Sequence, residues 1–275
     1  MSIRTVESLL AGFIGGTSFI KTQIVTPVVG TWYSLWTYNG IPGQLISSAI
    51  PSGNIKGKFY TTAAGDTSGA LRFPRPVAGD TVYLTRFAAN ANTVGTIILA
   101  DRIWADSLSP VSTSTTNIFS GSFPRSTGIG AGDSSGSSIQ IGVEVYTTMG
   151  ANASTPKATI IDSTGTGDTV TCWQAVPASA VAGTFVPMYG LKTSRGVRSV
   201  SNFHNFTSKS SGVWGLTAFR IIARLESSAI GIEDSIDAFT SGFPKLFTNT
   251  VPMLFWVAGT TTPPVIYGTT RYALG

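Results

Sequence analysis

The sequence predicts a mainly β protein of tandem, duplicated β-sandwich units with extended N- and C-terminal arms. Three observations carry this. Short segments alternate apolar and polar residues with period two, as half-buried strands do. Gly, Pro and Asp punctuate them at the spacing of an all-β sandwich or barrel. A set of motifs also recurs in the same order along the chain.

The recurrence centres on Gly212 to Glu226, whose alternation puts Phe219, Ile221, Ala223 and Leu225 on one face and Arg220, Ile222 and Arg224 on the other. Leu216, Phe219, Ile222 and Ala223 would also share a helical face, but glycine and β-branched residues favour a strand. An earlier copy runs from Gly95 to Trp104, with Arg102-Ile103 matching Arg220-Ile221. Gly65-Asp66-Thr67 matches Gly167-Asp168-Thr169, and Pro76 to Gly79 resembles Ala180 to Gly183. Ser120 to Arg125 resembles Ser241 to Lys245. The offsets rise from 102 through 104 and 118 to 120, as a duplication with one insertion near Met188 to Arg198 would produce.

In chain order, residues 1–29 form an N-terminal arm. Val6, Leu9, Leu10 and Phe13 follow helical spacing over Ser2 to Phe13, with Gly15-Gly16 as the stop. A short amphipathic helix needs another surface against its apolar side, so these four residues are candidate interaction residues. Glu7 and a short apolar run argue against a signal peptide.

Residues 30–106 form the first β unit, opening on the aromatic run Trp32, Tyr33, Trp36 and Tyr38 before an Asn39-Gly40 turn. Residues 107–138 are a Ser/Thr/Gly-rich linker. Because Phe123-Pro124-Arg125 has a counterpart after the second unit, it reads as a docked segment. Residues 139–233 form the second β unit, and 234–275 a C-terminal arm or completing strands. In that last segment Phe255, Trp256, Ile266 and Tyr267 are costly to leave in water and complete the set of candidate interaction residues.

Only 11% of residues are charged, well under the roughly 25% usual for soluble domains, which points to surface covered by a partner. The net charge is +5, but Lys and Arg are scattered, and the densest group, Lys192, Arg195 and Arg198, sits in the expected insertion loop. Nucleic-acid binding is therefore not expected. No window of about 18 residues is uninterruptedly apolar, so no membrane helix is expected. Cys172, the one cysteine, reads as a small buried hydrophobe.

Catalytic chemistry finds little support. His204 is the only histidine and has no nucleophile motif beside it. Asp66, Asp80, Asp133 and Asp168 stand in turn contexts, and the Asp162 to Asp168 loop lacks the later acidic ligand of a calcium loop. Glu233, Asp234 and Asp237 form the one acidic cluster and read as a solvated turn or short helix. No Walker-type or dinucleotide glycine motif occurs. No catalytic residue, cofactor or metal is expected. Carboxylates converging from distant loops would be the exception.

The segments Gln140 to Tyr146, Val176 to Met188, Gly196 to Val200 and Arg220 to Leu225 resemble structural proteins of tailed bacteriophage particles. The resemblance covers about a third of the chain, mainly in the second unit. It implies a virion protein such as a capsid cement (decoration) protein, often a jelly-roll trimer, placed on the capsid exterior with the phage major capsid protein as partner. The alternative it implies is a tail or neck component, which could use exposed aromatics to bind carbohydrate or a receptor. For a cement protein, deletion of Ser2 to Phe13 or Pro263 to Gly275 is expected to weaken assembly while each unit still folds.

Overall fold

The computed structural model describes residues 7, 11–43, 58–61, 69–74, 81–107, 115–117, 121–127, 134–190, 196–242 and 244–275. The first strands are β1 (Phe13–Thr22), β2 (Trp32–Ser34), β3 (Gly40–Ile41), β4 (Lys58–Phe59), β5 (Val82–Ala91), β6 (Gly95–Ala105) and β7 (Thr115–Asn117). Then come β8 (Ile139–Thr147), β9 (Lys157–Asp162), β10 (Gly167–Cys172), β11 (Thr184–Gly190), β12 (Val197–His204) and β13 (Val213–Ser227). The chain ends with β14 (Asp234–Asp237), β15 (Lys245–Leu246), β16 (Pro252–Ala258) and β17 (Val265–Leu274). The protein is nearly all β, as its alternation requires.

The two strands matched in the sequence lie side by side. β13 pairs antiparallel with β6 on one edge and with β8 on the other. The register sets Arg220 opposite Asp101 and Phe219 opposite Arg102. From there the larger sheet closes on itself in the order β2-β16-β6-β13-β8-β11, because β2 pairs with both β16 and β11. Every pairing in this ring is antiparallel, giving a six-stranded barrel without an edge. Beyond β11 the sheet continues through β10, β9, β12 and β7 and shares a core with the outer face of β8 and β13. The smaller sheet, β14-β5-β17-β1-β3 with β15 also on β5, packs its inner face against the barrel across a core that includes Phe87, Leu84, Trp256 and Leu99.

Pairing partners come from far along the chain. The larger sheet takes β2, β4 and β6 from residues 30–106, β7 from 107–138, β8 to β13 from 139–233 and β16 from the C-terminal segment. The smaller sheet joins β1 of the N-terminal arm to β17 near the C-terminus over nine register pairs. The five sequence segments therefore contribute to shared sheets and are not five separate bodies.

The C-terminal segment takes the second form foreseen for it, completing strands. β17 is central, paired with β1 and β5, and buries Ile266, Tyr272 and Ala273. Deleting Pro263 to Gly275 would remove the middle of a sheet, so the expectation that the β units would survive it is corrected. The foreseen helix over Ser2 to Phe13 falls mostly outside the described residues. Within that stretch the described residues Glu7 and Ala11 are helical, as expected, but the helix stops short of Phe13, which already begins β1.

Candidate functional site

Alternation along the barrel strands decides which side chains enter its lumen. Trp32, Phe185, Phe219 and Phe255 come from four different strands and meet there. Phe185 and Phe255 lie 4.6 Å apart between ring centroids, Phe219 and Phe255 5.0 Å, and Trp32 and Phe255 5.7 Å. Gly142 on β8 makes room, since a Cβ there would lie 2.3 Å from the Phe185 ring. Each of the three fully buried phenylalanine rings contributes roughly 1.5–3 kcal/mol by removal from water.

On the same inward faces, two or so residues along, the lumen turns polar. Arg102 Nη1 donates to Glu144 Oε2 at 2.6 Å, with both side chains fully buried. Thr217 Oγ1 also donates to Glu144 Oε2, and Arg102 Nη2 reaches the Tyr146 hydroxyl at 3.4 Å. The guanidinium lies 4.7 Å from the Tyr60 ring centroid and 5.0 Å from that of Trp36, so two aromatic faces share its charge. Burial works against the Arg102 cation, but the adjacent Glu144 carboxylate overrides it and holds the guanidinium above its ordinary pKa. Burial, reinforced by Glu144, pushes the Tyr146 phenol well up. This pair neutralises itself inside a packed barrel and does not face a cleft.

The neighbouring residue, Asp101, points to the outside of the barrel and meets a second buried set. Arg125 clamps its carboxylate through Nε at 2.9 Å and Nη2 at 3.1 Å. Arg220 Nη2 stands 3.6 Å away, and the Val251 backbone N–H donates to Asp101 Oδ1 at 2.9 Å. Arg125 also donates to the carbonyls of Tyr60 and Arg102. With Phe123 wholly buried, Phe123-Pro124-Arg125 is the docked segment its recurrence suggested. Its counterpart lies close by, because the Lys245 carbonyl accepts from Arg220 at 3.2 Å.

Candidate interaction residues divide by burial. Val6, Leu9 and Leu10 lie outside the described residues. Phe255, Trp256 and Ile266 are fully buried in their own chain, Phe255 in the lumen and the other two against the smaller sheet, so they have no surface to offer a partner. Phe13 and Tyr267 remain 45% and 51% exposed, on adjacent strands β1 and β17. The aromatic run also turned inward: Tyr33, Trp36 and Tyr38 are buried, and Trp32 is in the lumen.

A surface that the sequence reading missed lies at one end of the molecule. Four connections are stitched there by backbone hydrogen bonds, Gln23 to Pro264, Gly30 to Ala258, Gly259 to Val94 and Gly231 to Ala91. Segments 23–31, 91–95, 227–232 and 258–265 contain no Asp, Glu, Lys or Arg. Yet Ile24, Val28, Val29, Ile230 and Ile232 are 57–73% exposed on them. The readable signal was β-branched residues set among turn-forming ones, in Val25-Thr26-Pro27-Val28-Val29 and Ala229-Ile230-Gly231-Ile232.

The remaining candidates have local partners or are buried. The His204 ring lies 4.1 Å from that of Phe206 between centroids, tilted by 42°, and Cys172 is buried, which raises its thiol pKa. Asp162 caps its own turn, accepting from the Thr164 hydroxyl and from the Thr164 and Thr166 backbone N–H groups, which lowers its pKa. Asp237 caps a single helical turn, Ala238–Ser241, through Phe239 and Thr240, and Glu233 pairs with Arg86 at 2.9 Å. Asp66, Asp80, Asp133, Lys192 and Arg195 lie outside the described residues. Among the described residues no three His, Cys, Asp or Glu side chains gather as metal ligands would, and no helix is long and apolar enough to cross a membrane.

No family model and no curated protein matches the chain. Among solved structures it is similar to the VP2 subviral particle of infectious bursal disease virus, with 10% identity and a TM-score of 0.20 over 100% of this chain and 83% of that one. A mutant VP2 of the same virus in T=1 particles gives 11% identity and a TM-score of 0.21, covering 99% of this chain and 80% of that one. At such TM-scores the likeness carries no argument for fold or function.

Proposed function

We propose that the protein is a non-enzymatic virion structural protein, a capsid cement (decoration) protein that stabilises a phage head by covering capsomer boundaries. The carrying observation is the uncharged end bearing Ile24, Val28, Val29, Ile230 and Ile232. Exposed aliphatic side chains without charges among them suit a surface that is dry in its working state. Its partner on this reading is the phage major capsid protein and its location the capsid exterior. The buried ion pairs support the reading in a second way, since they spend Asp101, Arg102, Arg125, Glu144 and Arg220 on internal structure.

The test is co-sedimentation of the purified protein with empty phage heads. Saturable binding, lost in Ile24→Lys combined with Ile230→Lys, is the expected result. Binding that survives both substitutions would remove this end from the interface, and no binding to heads would remove the cement role.

One observation favours a second reading, a tail or neck component that binds carbohydrate. Trp173 and Tyr189 are 52% and 53% exposed. The β10–β11 register places both on one face beside Thr171. Aromatic faces flanked by hydroxyls suit sugar rings. Glycan-array binding lost in Trp173→Ala would establish it.

A further inference from the structure

The smaller sheet has an open edge at β1. β1 pairs with β17 along nearly its whole length, but β3 covers its other side only at Ile20 and Lys21. The Thr22 N–H points to that side, where it donates to Asn39. By strand alternation the N–H and C=O groups of Gly16 and Ser18 point the same way, and no hydrogen bond from the described residues reaches them. Both residues are exposed. Among the described strands longer than four residues, β13 also lacks a partner on one side beyond Arg220, but that stretch carries Arg224 and Glu226, and the outer side of β12 is met by β7 and by Phe123.

Natural edges of this kind usually carry a charge, a proline or a covering loop. The segment 13–19 is Phe-Ile-Gly-Gly-Thr-Ser-Phe and has neither charge nor proline. Beside it lies a concavity lined by Gly15, Gly16, Ser18, Thr269 and Arg271, with Phe13 at its end. Gly16 cannot be larger, since a Cβ there would fall 2.2 Å from the Thr270 carbonyl oxygen.

We infer that the outer edge of β1 is a strand-addition site occupied by β1 of a second copy of this chain, paired antiparallel about a two-fold axis. The pairing satisfies the open groups of Gly16 and Ser18 on both copies and covers both Phe13 rings. A partner strand must itself have an open, uncharged edge of matching length, and among the described strands β1 has the longest, since β3 and β7 are the short strands Gly40–Ile41 and Thr115–Asn117. Charge does not oppose it. Arg271 and its two-fold mate sit three strand spacings apart, about 14 Å, beyond the screening length of about 8 Å in physiological salt. This contact is separate from the uncharged loop end, and it takes the place of the trimer that the phage resemblance implies.

Sedimentation velocity on the full chain over a concentration series tests it. The expected result is a monomer–dimer equilibrium, with amide exchange at Gly16 and Ser18 slowing as the dimer forms. Ser18→Pro removes an edge donor at a position where proline is tolerated, and Ser18→Lys puts charge on the edge. Each is expected to weaken the dimer by about ten-fold or more while the far-ultraviolet spectrum stays unchanged. A strict monomer, a trimer, or a dimer indifferent to Ser18→Lys would overturn the inference. Head binding by a strict monomer would leave the cement reading standing.

Discussion

Arg102 and Glu144 meet at 2.6 Å inside a closed barrel, and neither side chain is exposed to solvent. Their hydrogen bonding is incomplete, since Arg102 Nε and Glu144 Oε1 find no partner among the described residues. Removing one member leaves a bare buried charge, which costs about 3–5 kcal/mol, whereas replacing both with apolar residues is often neutral or stabilising. Arg102→Met and Glu144→Leu are each expected to lose about that much in urea unfolding. The double variant should recover most of the loss. A double variant as unstable as the sum of the singles would show that the pair does not behave as a unit.

Two glycines rank differently as sites of added bulk. A Cβ at Gly215 would lie 1.7 Å from the Asp106 carbonyl oxygen, and one at Gly142 would lie 2.3 Å from the Phe185 ring. A ring can tilt, whereas a paired backbone cannot give way. Gly142→Ala should cost about 1–3 kcal/mol, the usual range for overpacking, and Gly215→Ala more than Gly142→Ala. Thermal midpoints of the two variants, measured side by side, check the order.

Asp106 is buried at the end of β6, and desolvation raises its pKa to about 7 despite the Ser107 N–H it accepts from. A carboxyl raised in the folded state stabilises fully below its unfolded pKa of about 3.8, and that contribution is lost as pH rises toward 7. Asp106→Asn should therefore flatten the decline in stability between pH 4 and pH 7. Parallel denaturation curves for the variant and the parent across that window would count against it.

Lys21 gives the opposite sign in another window. Its ammonium is buried and donates to the carbonyls of Tyr38 and Gly43, and burial lowers its pKa to about 8. Its contribution is fully present above the unfolded value of 10.5 and is lost as pH falls through about 8. Stability should rise between pH 8 and pH 10 in the parent relative to Lys21→Met. Chemical denaturation at the two pH values reads the difference directly.

Strand identity was largely legible because alternation is local. β13 and β6 were read from their own residues, and the Phe123-Pro124-Arg125 segment from its recurrence. Barrel closure was not legible, since the partners of β2 lie some 150 and 220 residues away and a three-residue strand carries little pattern. For the same reason Phe255 and Trp256 read as sticky surface when they are core. Hydrophobicity says that a residue must be covered, and only pairing says by what. The exposed aliphatics of the loop end escaped notice because scattered Ile and Val among turn residues resemble ordinary strand ends.

The ring of strands has a consequence for synthesis. Its closing strand, β2, is made some 220 residues before one of its two neighbours, β16. Thr31 to Ser34 must wait for that partner until those residues have emerged, and β1 must wait still longer for β17. Contacts this distant in sequence make folding slow, and the nascent chain carries unpaired strands until their partners emerge. Loss of β17 would thus leave β1 and β5 each without a neighbour, an open, aggregation-prone sheet and not a shortened but working protein.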